Sequence, residues 1–132
     1  MLLTLSSGVK GFTTIHAGSA RQALTRLRFI CQLAETSSDL SLAALNTLVT
    51  EAVDLVVHCT RVGDRVQVSE VVAVEDLQGS LDAPAFTVTD LFRRARHDAA
   101  LRWAGNVPVR AARALEASGF DVRRLLDAEA RP

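Results

Sequence analysis

Gly11-Phe12-Thr13-Thr14-Ile15-His16-Ala17, followed after Gly18 by Ser19-Ala20-Arg21-Gln22-Ala23-Leu24-Thr25-Arg26-Leu27, is the stretch that decides the fold. Phe12, Thr14 and Ile15 are aromatic or β-branched, which predicts a short buried strand over 12–15. His16 falls at its carboxyl end, where parallel α/β sheets meet their ligands. Gly18 permits a sharp exit. Ser19 has the form of a helix N-cap, and Gln22, three residues on, completes a capping box. Ala20, Ala23, Leu24, Leu27, Ile30 and Cys31 then recur at helical spacing and predict one buried face through about Leu33.

Upstream, Leu2, Leu3 and Leu5 read as the tail of a helix that Ser6-Ser7-Gly8 ends. Downstream, residues 35–39 form a polar connector, and Asp39 or Ser41 can cap a second helix through Leu42, Leu45, Leu48, Val49 and Ala52. The run Ala52-Val53-Asp54-Leu55-Val56-Val57-His58-Cys59 predicts a strand buried on both faces, as parallel sheets require. Gly63-Asp64 marks a hairpin turn into a strand over 65–74 whose first half alternates in polarity. Residues 78–84 read as a loop and 86–88 as a short strand. Asp90 or Thr89 caps a helix predicted to run through about Arg102, and Asn106 and Pro108 open a last helix that Gly119 ends. Val122, Leu125 and Leu126 form a small apolar coda.

A chain of 132 residues fits one domain. No apolar run approaches the roughly 20 residues of a membrane-crossing helix, and Met1-Leu2-Leu3 lacks the pattern of a signal peptide. A cytoplasmic location is expected. With 15 basic and 15 acidic side chains the formal charge is zero, so no nucleic-acid partner is expected. Residues 1–85 carry 6 basic and 9 acidic groups, and 86–132 carry 9 and 6. Cys31 and Cys59 stand alone in apolar patterns, and His16, His58 and His97 have no metal-ligand spacing; buried reduced thiols and no metal site are expected.

At this point the residues resemble a family. Ser7-Gly8 through Leu27 is similar to the CpaF-type ATPases of type II and type IV secretion and pilus assembly. In these a Ser-Gly turn precedes a Thr-Ile-His-Ala "histidine box" and an Ala-Leu-x-Arg-Leu helix. Ala52 through His58 with Arg61, then Arg65-Val66 and Glu70-Val71, resembles the family's next strand and hairpin. Gly105-Asn106-Val107-Pro108, Leu115 and Gly119-Phe120 match more loosely. Gly18 departs from the pattern, since the family often has Asn after His-Ala. The resemblance covers residues 1–75 closely and loosens beyond.

The resemblance implies an α/β fold: the C-terminal part of a RecA-like P-loop NTPase domain, truncated, with parallel strands plus a hairpin and helices on the faces. Residues 1–85 would be the C-terminal half of that domain and 86–132 a short strand with a helical extension. His16 would sense the terminal phosphate of ATP, with Thr14 as a hydrogen-bond partner beside it; Arg21 and Arg26 would reach a phosphate or a neighbouring subunit. The family uses ATP and magnesium and assembles as hexamers on inner-membrane platform proteins, so homo-oligomers and a peripheral membrane association are implied. The phosphate loop itself is missing: Lys10, the only lysine, lacks the Gly before it and the Ser or Thr after it that a Walker A loop needs. No Gly-x-Gly-x-x-Gly occurs, and the acidic Walker B residue would lie upstream of Met1. This chain alone is therefore expected to bind no ATP and hydrolyse none.

The same truncation implies that the strand over 12–15 loses both neighbours and the strand over 54–59 loses one. A misplaced start, a gene remnant or an excised domain would look alike. Asp54 and Glu70 read as fold-maintaining residues. A second reading is a non-catalytic adaptor that occupies a motor subunit's interface. An independent small enzyme finds no support in a Ser or Cys nucleophile with a His base.

Overall fold

The computed structural model describes Gly8 and residues 11–34, 40–76 and 85–129. The expected helix tail at Leu2, Leu3 and Leu5, the connector 35–39 and the loop 78–84 lie outside those residues. The elements in order are α1 (Ala20–Ala34), α2 (Leu42–Ala52), β1 (Leu55–Val62), β2 (Arg65–Val74), β3 (Val88–Arg94), β4 (Leu101–Trp103), α3 (Val109–Ala117) and α4 (Val122–Glu129). The fold is mixed α/β, built on one four-stranded sheet in the order β1-β2-β3-β4.

Local signals set several of these boundaries. Ser19 Oγ accepts the Gln22 amide at 3.2 Å at the start of α1, and Ser41 Oγ accepts the Ala44 amide at 3.2 Å at the start of α2. Gly63 turns β1 into β2 with φ +58°, the left-handed region that a side chain disfavours. α3 ends where Gly119, at φ +85°, lets the Phe120 amide reach back to the Leu115 carbonyl at 3.0 Å. The coda after it is helical: Asp121 accepts the Arg124 amide at 2.9 Å and starts α4.

Five expectations are corrected. β1 is not buried on both faces: its residues alternate between exposed and half-buried until the exposed pair Arg61 and Val62 at the turn, as suits an antiparallel strand with one face on the core. Neither cysteine is buried, Cys31 being half-buried and Cys59 exposed. Every strand pairing is antiparallel, so the parallel order expected of 12–15 and 54–59 is not found among the described residues. Residues 11–17 form no strand: their β-forming side chains favour extension, but no ladder forms beside them, and Phe12 is fully exposed. The helix expected from Asp90 or Thr89 to Arg102 is instead β3, a turn and β4. Asp90 and Arg93 form an ion pair at 3.1 Å with a helix-like spacing of three. On a regular strand residues three apart face opposite sides, but Leu91 is an extra residue in β3, since Val72 pairs with Asp90 and Val71 with Phe92. That bulge returns both charges to one face.

A second bulge lies in β2, where His58 pairs with Glu70 and Cys59 with Val68, leaving Ser69 unmatched. The hydrophobic core forms where α1 and α2 meet the sheet. Leu24, Val49, Val74 and Phe86 are buried together, with Leu27, Val53, Val56 and Val88 packed against them. No helix among the described residues is long and apolar enough to cross a membrane.

Candidate functional site

His16 lies near the end of the irregular stretch 11–17 and is exposed. Behind it the chain bends at Gly18 and Ser19 into α1. Gly18 does not occupy the left-handed region; a Cβ there would stand 2.8 Å from Gln22 Oε1, the far end of a flexible side chain. The bend is therefore set by the Ser19 cap more than by backbone that only glycine can adopt.

Of the four site residues expected from sequence, the structure brings three together. His16, Arg21 and Arg26 line one groove of about 670 Å³ along the first turns of α1, with Thr25 and Phe29 also in its wall. Thr14 lies elsewhere. It lines a second cavity of about 400 Å³ between residues 13–17 and β1, walled by Leu24, Leu27, Val56 and His58; His16 borders both spaces.

The cations of the groove differ in how they are held. Arg21 Nη2 stands 3.4 Å from Asp90 Oδ1 and remains largely exposed. Arg26 is exposed and makes no ion pair among the described residues. Arg28 serves the scaffold: its Nη1 donates to Asn46 Oδ1 at 3.0 Å, and its guanidinium lies over the Phe86 ring, 5.5 Å from the centroid. An imidazole and two guanidiniums around an open groove suit an anion, because each guanidinium is positively charged and only donates, and the imidazole can donate from one nitrogen.

Compared with known proteins, the chain matches no family model and no curated protein.

Sequence reasoning read Glu70 only as fold-maintaining and gave His58 and Ser69 no site role. His58 Nδ1 lies 2.8 Å from Ser69 Oγ and its Nε2 3.2 Å from the Ala17 carbonyl. Glu70 Oε1 accepts the Ala20 amide at 2.6 Å, and Glu70 Oε2 lies 3.6 Å from Arg93 Nη2. Arg93 also meets Asp90, the partner of Arg21, so one chain of charges runs from the sheet to the groove. The available signal was the hairpin: counting back from Gly63-Asp64 puts His58 opposite Ser69, and only the bulge moves Glu70 into that place. Among the described residues no three His, Cys, Asp or Glu side chains converge as metal ligands.

Proposed function

We propose that this chain is the C-terminal portion of a secretion or pilus-assembly ATPase of the CpaF type, within a RecA-like domain, and that it supplies the histidine box. His16 senses the terminal phosphate of ATP held by other polypeptide. The observation that carries this reading is the convergence of His16, Arg21 and Arg26 on one open groove at the start of α1. Part of the order of elements supports it too: capped helix, second helix and hairpin follow one another as in the family pattern, without, among the described residues, the strand that precedes them there. So does the sheet edge, since neither residues 11–17 nor the outer side of β1 has a strand beside it among the described residues.

In this role either ring nitrogen of His16 donates to a phosphoryl oxygen, and Arg21 and Arg26 spread positive charge where charge accumulates in phosphoryl transfer. The residues here fit the outer side of a triphosphate. They do not fit its cradle or its magnesium, because among the described residues neither a phosphate loop nor a carboxylate cluster faces the groove. Those groups come from the rest of the motor, and hydrolysis by a hexamer on an inner-membrane platform powers export or pilus growth. The adaptor reading draws on the half-exposed Leu55 and Val57 of β1, an apolar edge that a motor subunit could cover.

The test begins with the DNA upstream of the Met1 codon, which should encode in frame a Gly-rich Lys-Ser or Lys-Thr loop and a Walker B acid. The longer polypeptide should hydrolyse ATP, and His16→Ala should lower kcat by about tenfold or more. Absence of that coding sequence, or hydrolysis indifferent to His16→Ala, would refute the assignment. The 132-residue chain alone should show no micromolar ATP binding by calorimetry.

A further inference from the structure

His58, Ser69 and Glu70 converge on the turn that follows His16. They can do so because Ser69 is the bulge residue of β2. Adjacent residues of a regular strand face opposite ways, yet here the side chains of Ser69 and Glu70 both reach His58. The Ala17 carbonyl can only accept, so His58 Nε2 carries the hydrogen of the 3.2 Å contact. Ser69 Oγ steadies the ring from its other nitrogen at 2.8 Å and also lies 3.0 Å from the His58 carbonyl. On the far side of Gly18, the Glu70 carboxylate takes the Ala20 amide.

We infer that His58 and Glu70 are positioning residues that clamp the two ends of the turn 17–20 and so fix where His16 stands relative to Arg21. The inference rests on the reading of His16 as the phosphate-sensing group. Capping alone does not account for the pair. Ser19 already caps α1 locally, whereas the Glu70 bond comes from 50 residues away and ties the helix end to the sheet. It is also charge-assisted and sits at the positive end of α1, where a carboxylate is favoured. His58 holds a carbonyl and Glu70 an amide, from the same hairpin, on either side of Gly18. Residues 11–17 gain no ladder bonds that could fix His16 from its other side. Arg21, meanwhile, is anchored through Asp90 and Arg93 to the same Glu70. Both halves of the groove thus refer to one carboxylate.

The test uses the isotope-labelled 132-residue chain and NMR, with the variants Glu70→Gln, His58→Leu, His58→Gln and, as a distant control, Glu75→Gln. In the parent the Ala20 amide proton should resonate far downfield. Glu70→Gln should move it upfield and speed its hydrogen exchange about tenfold or more, as loss of a bond to a charged acceptor predicts. His58→Leu should shift the His16 ring signals and lower backbone order over 16–19. His58→Gln should restore both, because its side-chain amide can still donate to the Ala17 carbonyl. Glu75→Gln should leave 16–20 unchanged while lowering global stability. If His16 and its turn are indifferent to Glu70→Gln and His58→Leu, or if Glu75→Gln perturbs them equally, the clamp is refuted. Should Glu70→Gln fail to fold, the contrast between His58→Leu and His58→Gln decides alone. No nucleotide enters these readouts, so failure of the clamp leaves the His16→Ala hydrolysis test standing, and the reverse holds.

Discussion

Glu75 offers the sharpest test of how this scaffold is held. It is 5% exposed, and its two carboxylate oxygens accept the Val109 amide at 3.0 Å and the Arg110 amide at 2.9 Å. α3 needs that help, because the residue at its N-cap is Pro108, which makes no side-chain cap and leaves the first helical amides without an acceptor. Replacing Glu75 by Gln keeps one acceptor oxygen and turns an NH2 group toward the second amide. One charge-assisted bond is lost, at about 1.5–3 kcal/mol. The remaining bond weakens as the charge disappears, and the favourable meeting of carboxylate and helix dipole, about 0.3–1 kcal/mol, goes with it. Release from burying a charge offsets part of this, so a net destabilisation of about 2 kcal/mol is expected. With a urea m-value of about 2 kcal/mol/M, the unfolding midpoint followed by far-UV circular dichroism should fall by about 1 M. Hydrogen exchange of the Val109 and Arg110 amides should rise above the global change. A midpoint shift corresponding to less than about 0.5 kcal/mol, the range of ordinary surface substitutions, would refute the claim that Glu75 seats α3.

Leu24→Ala removes a side chain that is almost wholly buried at the centre of the core, and should cost about 2–5 kcal/mol in the same urea assay. Phe12→Ser should change stability by less than about 0.5 kcal/mol, because the ring is fully exposed; a larger loss would mean that the stretch 11–17 packs in solution.

What was legible in the sequence was local. The caps at Ser19 and Ser41 each depend on one side chain and an amide three residues on, and both form. The Gly63-Asp64 turn and the Gly119 stop depend on one backbone angle each, and both appear. What was not legible depends on neighbours distant in sequence. Residues 12–15 carry strand formers, but a strand exists only where a ladder partner does. Asp90 and Arg93 have helical spacing, and nothing in 86–102 alone reveals that a bulge at Leu91 makes the same spacing fit a strand. His16, Arg21 and Arg26 share a groove because the helix starts at Ala20, one short turn beyond the histidine, where the Ser19 cap signals it. Thr14 was grouped with His16 by sequence proximity, and it instead lines the cavity toward β1.

The sheet face under α1 is divided in a way that separates stability from positioning. Val56 of β1 pairs with Val72 of β2, and two residues further along the same strands His58 pairs with Glu70. Val74 pairs with Val88, Val72 with Asp90, and Glu70 with Arg93. Each strand therefore passes from apolar to ionisable in the same direction across the sheet. α1 spans the division: Ala20 sits on the Glu70 carboxylate, whereas Leu24 and Leu27 pack over Val56, Val74 and Val88. Apolar burial scales with area removed from water, so the Leu24 half carries most of the folding free energy. The ionisable half consists of hydrogen bonds and ion pairs whose individual net contributions are small but whose directions are specific. Substitutions in that half can thus shift the turn behind His16 while the core stays packed, which is what allows its positioning role to be measured apart from stability.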